Sequence, residues 1–182
     1  MAEIKIGFVS RQQPESVQLV GMLIQQIQSE GLGVEIYVDE DIAVQIGRQG
    51  TSVAEMERKK VDFIVSVGGD GTILRTIHKM ADPVPILGIN MGTLGFLVDV
   101  EPKDAIETLK RLLSGFVVDE RSRLKLLLNG VCMPRATNEI AFLTASPAKM
   151  IEFEIIVDGA LMEDFRADGV IVATSTGSTA YA

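Results

Sequence analysis

Residues 62–72, Asp-Phe-Ile-Val-Ser-Val-Gly-Gly-Asp-Gly-Thr (DFIVSVGGDGT), pass from a short apolar, β-branched run straight into a glycine turn. Asp62 to Val67 reads as a buried strand, and residues 72–81 read as the helix that follows the turn. Other strands flank this unit. Ile4 to Val9 (IKIGFV) and Val34 to Val38 (VEIYV) precede it, and Pro85 to Ile89 (PILGI) follows. Between the first two, residues 14–30 put Val17, Val20, Ile24 and Ile27 on one helical face and end near Gly31. Residues 41–60 carry a weaker pattern, interrupted by Gly47 and Gly50, and read as a loop followed by a short helix. Residues 102–114 form a helix with Ile106, Leu109 and Leu113 inward. Strands alternating with helices imply βαβ units and an open parallel sheet, with ligands outside the carboxyl ends of the strands. Both glycine-rich segments, 68–72 and 92–95, follow strands and belong on that edge.

After about residue 115 the pattern changes. Leu124 to Leu128, Glu139 to Leu143, Ile151 to Val157 and Val170 to Ala173 are strand-like, with no helix between them. We therefore expect an α/β domain over 1–115 and an all-β domain over 116–182. The second stops just after a polar glycine turn, TGSTAY at 176–181, so it is expected to be incomplete.

Adjacent glycines after a strand allow positive φ and bring backbone N–H groups close to a ligand. The N-terminus of the next helix adds partial positive charge, which makes phosphate the natural guest. Asp70, however, sits in the middle of the turn, and a carboxylate repels phosphate. It has a use there as a metal partner, or as acceptor of a proton from an attacking hydroxyl. A plain phosphate cradle would carry Lys instead. The turn thus points to phosphoryl transfer onto a hydroxyl, although Gly-Gly-Asp-Gly also occurs as an ordinary turn.

Composition narrows the field. Of 182 residues, 47% are apolar and 23% charged, which is ordinary globular usage. A net charge of −8, with scattered Lys and Arg, argues against nucleic-acid binding. The Arg58-Lys59-Lys60 cluster reads as a solvated helix end. Cys132 is the one cysteine; it has no internal disulfide partner and reads as a small, half-buried residue, which suits a reducing cytoplasm. His78 is the one histidine, too few for a His-rich metal site. The N-terminus lacks a signal-peptide core, and no stretch approaches the ~20 apolar residues of a membrane span. The eight methionines read as core filler.

The turn resembles one shared by NAD kinases, diacylglycerol and sphingosine kinases, and phosphofructokinase-like enzymes. Three further segments separate these relatives. Asn90 to Leu97 (NMGTLGFL), the pair Asn138-Glu139, and Asp168-Gly169 followed by TGSTAY at 176–181 are all similar to NAD kinase motifs, in the same order. Together with the turn they cover residues 60 to 182, whereas residues 1–60 carry little signal of their own. The resemblance implies that Asp70 takes the proton from the adenosine 2′-hydroxyl of NAD, with Gly71 beside the substrate and Arg75 reaching a phosphate. It assigns Asn138 and Glu139 to nucleotide hydroxyls and base, Lys149, Arg166 and Asp168 to NAD, and Thr179, Ala180 and Tyr181 to the adenine or nicotinamide pocket. The family usually continues with Ser after this Tyr, where the chain has Ala182. Also implied are ATP or polyphosphate as donor, Mg²⁺ or another divalent cation accompanying it, and a dimer or tetramer.

Each assignment has a structural rival. Arg75 could pair with an acidic neighbour on its helix, and Lys149 could be a solvated edge charge. Glu139 could satisfy turn amides, and Asp168-Gly169 could be a simple turn pair. Thr93 and Gly95 read as shaping a βα turn. Two other functions compete with the kinase reading: a lipid kinase built on the same turn, which would want an apolar or basic membrane-facing patch, and a non-catalytic nucleotide sensor.

Overall fold

The computed structural model describes residues 4–92, 95–98, 100–146 and 149–179. The chain divides into two compact units, Met1–Asp119 and Glu120–Ala182.

The first unit is built on four parallel strands, β1 (Ile4–Ser10), β2 (Val34–Val38), β3 (Phe63–Gly68) and β4 (Ile86–Asn90), in the order β2-β1-β3-β4. Their helices are α1 (Pro14–Ser29), α2 (Glu40–Ile46), α3 (Val53–Arg58), α4 (Asp70–His78) and α5 (Ala105–Leu113), the last entered through a 3-10 turn at Pro102–Asp104. Strand alternation sorts the side chains. Ile6, Phe8, Phe63, Val65, Val67 and Ile89 pack on one face with Val20, Ile24 and Ile27 of α1 and Ala105 and Leu109 of α5. On the other face Val9 and Ile64 pack with Val53 and Met56 of α3. Apolar residues on both faces explain why these strands read as unbroken hydrophobic runs. At about 1.5–3 kcal/mol for each fully buried large apolar side chain, this two-sided core holds the unit together.

Glycines admit two of the close approaches. A Cβ on Gly7 would lie 2.8 Å from Met56 Sδ, and one on Gly88 would lie 2.7 Å from Ile73 Cδ1, so each lets a helix from the second face settle on the sheet. The chain leaves β1 through α1 towards β2, on the first face. It leaves β3 through α4 towards β4, on the second. The direction of winding therefore reverses between β1 and β3, and the crevice at their carboxyl ends is the switch point where such sheets take ligands.

Residues 41–60, expected to be a loop and one short helix, hold parts of two helices. Asp39 caps α2 by accepting the Asp41 N–H, and Gly47 ends it in the left-handed conformation at φ 70°. Gly47 thus terminates a helix, and does not interrupt one. The phosphate-turn helix also begins earlier than residue 72: it starts at Asp70, with Gly69 before it in extended geometry. Leu109 is buried as expected, whereas Ile106 and Leu113 are only partly so.

Ser66 is fully buried in the middle of β3, and its hydroxyl has no hydrogen-bond partner among the described residues. An unsatisfied buried hydroxyl costs about 1–3 kcal/mol. Ser66→Ala is therefore expected to stabilise the unit by about 1 kcal/mol, read as a higher urea midpoint with an unchanged slope.

Lys79 Nζ lies 3.5 Å from Asp39 and 3.2 Å from Asp41. Partial burial pushes the lysine pKa down, but the two carboxylates outweigh it and hold it above its ordinary 10.5. A raised folded-state pKa stabilises fully below the ordinary value, and that stabilisation is lost as pH rises through the raised one. The group is more than a third exposed, so the effect stays under about 1 kcal/mol. As pH rises above about 10, through the raised pKa, wild type should lose slightly more urea stability than Lys79→Met.

In the second unit β5 (Leu127–Leu128) pairs antiparallel with β6 (Val131–Cys132), β7 (Glu139–Leu143) with β10 (Gly169–Ala173), and β8 (Ile151–Val157) with β9 (Ala160–Ala167). A 3-10 turn at Gly177–Thr179 follows β10. Asn129-Gly130 (φ 50°, 82°) and Asp158-Gly159 (φ 51°, 83°) make the tight turns of the first and last hairpins, as Asn-Gly and Asp-Gly do when both residues take positive φ. The expected strand over Leu124–Leu128 is shorter: only its last two residues are a strand, and Leu124 makes an isolated bridge to Ala136. Cys132, expected to be half buried, is exposed on a two-stranded hairpin. Met56 and Met80 are core residues, whereas Met22, Met133, Met150 and Met162 are exposed and fill nothing.

Candidate functional site

Strand β3 ends at Gly68, and the turn into α4 depends on how closely its backbone packs. A Cβ on Gly68 would overlap the Thr72 side chain, with Thr72 Cβ only 2.9 Å away. Neither Gly68, Gly69 nor Gly71 has positive φ, so the expected role for the two adjacent glycines is corrected. Gly68 is needed for close approach, because the turn folds its helix back tightly onto the strand, whereas a Cβ on Gly69 would meet nothing within 4 Å.

Asp70 is the first residue of α4, where the helix dipole favours negative charge. Its Oδ2 accepts the Phe96 N–H at 2.8 Å and its Oδ1 accepts the Leu97 N–H at 3.0 Å. Gly95 makes this possible, since a Cβ there would overlap the carboxylate, with Oδ2 at 2.7 Å. The segment after β4, expected only to shape a turn, therefore fixes the orientation of Asp70. Each carboxylate oxygen has two lone-pair sites, so one on each stays available to accept a further proton. Gly71 and Arg75 are both exposed and lie four residues apart on α4, hence on one helical face. Among the described residues Arg75 makes no ion pair, so the acidic-neighbour alternative finds no support there.

The β7–β10 ladder builds the second group. Its register sets Glu139 opposite Ala173, which brings Asn138 against Thr174. The Thr174 N–H donates to Asn138 O at 2.8 Å. The Thr174 hydroxyl donates to Thr137 O at 2.6 Å, with Asn138 O at 3.2 Å, and accepts the Gly177 N–H at 3.1 Å. Gly177 lies so close to Asn138 that a Cβ would run into its backbone, 2.7 Å from Asn138 Cα. The 174–179 turn is thereby clasped to the start of β7. Asn138 Oδ1 and Glu139 Oε2 are buried with no hydrogen-bond partner among the described residues. Each such acceptor costs about 1–3 kcal/mol until a donor reaches it. Glu139 does not satisfy turn amides with that oxygen, contrary to its structural rival. Thr179 closes the 3-10 turn; Ala180 and Tyr181 lie outside the described residues.

Lys149, Arg166 and Asp168 are elsewhere in this unit. All three are exposed. Asp168 sits at the other end of the ladder, its carbonyl accepting the Thr144 N–H at 2.8 Å. At ~3.4 Å per residue, the six steps from Asp168 to Thr174 amount to roughly 20 Å. Arg166 is paired in register with Glu152 at the opposite edge of the β8–β9 hairpin, and Lys149 precedes that hairpin. The expected nucleotide residues therefore form two groups, one at each end of β10. Thr174 was not anticipated, although a Thr just before a glycine turn is the signal that could have found it.

No three of His, Cys, Asp and Glu gather to hold a metal among the described residues. Asp70, with both oxygens already accepting amides, makes no protein cage. The arrangement fits a divalent cation carried by phosphates, to which a carboxylate adds one oxygen at most.

Residues 6–117 match the ATP-NAD kinase N-terminal domain, and residues 137–182 match the ATP-NAD kinase C-terminal domain. The chain belongs to the ATP-NAD kinase family. The match reaches back to residue 6, into the stretch that carried little signal in the motifs. The NAD kinase of Methanosarcina acetivorans is 54% identical over 183 residues, covering 100% of this chain and 66% of that protein. That of Methanosarcina mazei is 52% identical, covering 98% of this chain and 61% of that one. The chain thus spans somewhat less than two thirds of the length of these family members. Among solved family structures, an NAD kinase from Archaeoglobus fulgidus in complex with ATP is similar at a TM-score of 0.73 and 34% identity, covering 98% of this chain and 64% of that one. Yeast NADH kinase complexed with NADH shares the fold at a TM-score of 0.86 and 24% identity, covering 98% and 60%. No helix among the described residues is long and apolar enough to cross a membrane.

Proposed function

We propose that this chain is the nucleotide-handling part of an NAD kinase, which phosphorylates the adenosine 2′-hydroxyl of NAD to give NADP with ATP or polyphosphate as donor. The observation that carries the reading is Asp70: a carboxylate held by two backbone amides at the start of α4, beside the switch point, with an acceptor site left on each oxygen. The 2′-oxygen attacks the terminal phosphorus of the donor, the bond from that phosphorus to the leaving phosphate oxygen breaks, and the hydroxyl proton passes to Asp70. Gly71 leaves room beside the carboxylate. Arg75, leaning back along its helix towards residue 71, supplies a positive charge for phosphate. A divalent cation such as Mg²⁺, held mainly by the donor phosphates, would neutralise their charge.

Asn138 and Glu139 offer NAD two acceptors that lack partners among the described residues, suited to nucleoside hydroxyl and amino groups. The 174–179 turn, with Ala180 and Tyr181 beyond it, completes that end of the binding region. Lys149, Arg166 and Asp168 would serve the other end of an elongated dinucleotide. The protein would work in the cytoplasm as a dimer or tetramer.

The test is to incubate the full-length protein with NAD, Mg²⁺ and either ATP or polyphosphate, and to detect NADP with an NADP-specific dehydrogenase. NADP formation is the expected result. Phosphorylation of diacylglycerol in place of NAD would overturn the reading, and so would tight NAD binding with no NADP from either donor.

A further inference from the structure

Arg11 follows β1 directly, and the assignments above leave it without a role. Its backbone N–H donates to Val67 O at 3.2 Å, which docks it on the β1 side of β3. Met91 docks on the other side of β3, its N–H donating to Gly68 O at 2.9 Å. The Arg11 side chain joins the two flanks: Nη2 donates to Met91 O at 2.6 Å. Since β3 lies between β1 and β4, the guanidinium must pass across the carboxyl end of β3, where the phosphate turn begins. Nε is held from a third direction, donating at 3.0 Å to the hydroxyl of Ser16, a fully buried residue in the first turn of α1. The cation is thus fixed at the switch point itself.

A brace between strands needs only N–H donors, not a charge. Arg has five N–H groups in a rigid fork, and two are used here. Arg11 is half-buried and faces no carboxylate within 4 Å among the described residues, in a chain of net charge −8. Among the described residues its charge is therefore uncompensated, which suits an anionic ligand. The same edge presents the N-terminus of α4, which favours anions, and the carboxylate of Asp70, which opposes them. An oligophosphate could lodge beside that carboxylate only with a compensating positive charge, and a guanidinium matches phosphate oxygens two at a time.

We propose that Arg11 is a phosphate-binding residue of the phosphoryl-donor site, contacting the oligophosphate chain common to ATP and inorganic polyphosphate. This rests on the kinase reading for the identity of the ligand as donor, but the contact can be measured without turnover.

The experiment is calorimetric titration of the full-length protein, as wild type, Arg11→Lys and Arg11→Gln, with inorganic tripolyphosphate, with ATP and with NAD, each variant checked by thermal melting. Arg11→Gln should weaken tripolyphosphate and ATP by about 10-fold or more, the usual scale for a charge-assisted hydrogen bond, and leave NAD within about twofold. Arg11→Lys, which keeps only the charge, should recover much of that loss. Weakening of ATP alone, with tripolyphosphate unaffected, would assign the contact to the nucleoside and overturn the proposal. Equal weakening by Lys and Gln, or equal weakening of NAD, would make Arg11 a scaffold brace and overturn it as well.

Should Arg11→Gln fail to fold, wild type still decides the matter through phenylglyoxal labelling. Tripolyphosphate should protect the Arg11 peptide and NAD should not; identical labelling with and without tripolyphosphate would refute the contact. If wild type binds tripolyphosphate but makes no NADP, the kinase reading fails while the Arg11 contact stands or falls on these titrations alone.

Discussion

Asp70→Asn is expected to lower kcat for NADP formation by at least ~10²-fold, the usual scale for a general base. The two amides that hold the carboxylate refine what this variant does. An Asn side chain keeps one acceptor oxygen and presents an NH₂ group where the other was, so the N–H of Phe96 or Leu97 then faces a donor. That mismatch costs about 1–3 kcal/mol of local stability in addition to the lost base. Kinetics and melting therefore have to be read together: steady-state rates at saturating NAD and donor, with a thermal melt of the same preparation. Near-normal turnover in a folded Asp70→Asn protein would sink the base assignment. A folded variant that binds NAD normally and turns over slowly is the result the proposal requires.

The second large effect is expected at Gly177. An added methyl there meets the backbone of Asn138, which cannot rotate away as a side chain can. To admit it, the 174–179 turn must separate from β7 and loosen the bonds that Thr174 makes to Thr137 and Asn138. Overpacking of this kind costs about 1–3 kcal/mol. Gly177→Ala should raise KM for NAD by about 10-fold or more while KM for the donor stays within about twofold. An unchanged KM for NAD would show that the clasp does not shape the nucleotide region.

How much of this was legible beforehand follows from the range of the interactions. β1 and β3 were readable because burial on both faces writes itself as contiguous β-branched and aromatic residues. The helix at Glu40–Ile46 was hidden because Gly47 looks the same as an interruption and as a left-handed cap, and only the Asp39 bond to the Asp41 N–H tells them apart. β9, Ala160–Ala167, has neither face deeply buried, so its sequence ALMEDFRA carries no strict alternation. Its turn, Asp158-Gly159, was the better clue. In the site, Asp70 stood out because a carboxylate is chemically odd in a phosphate turn. The amides that orient it come from 26 and 27 residues away, and the Arg11 bond to Met91 spans 80. No local pattern encodes such contacts. Asn138 and Glu139 were recognised through resemblance, while their buried, unpartnered oxygens became visible only in three dimensions.

β3 has a strand on each side and a helical layer on each face, and the phosphate turn grows from its last residue. The amides of such a strand exchange with solvent only when the whole unit opens, whereas the two-stranded hairpins of the second unit can open alone. In deuterium exchange the amides of 63–68 should therefore be among the last to label, and those of β5–β6 and β8–β9 among the first. The base of the phosphate turn would then keep its geometry through every fluctuation short of global unfolding of its unit, while the two hairpins breathe on a faster clock.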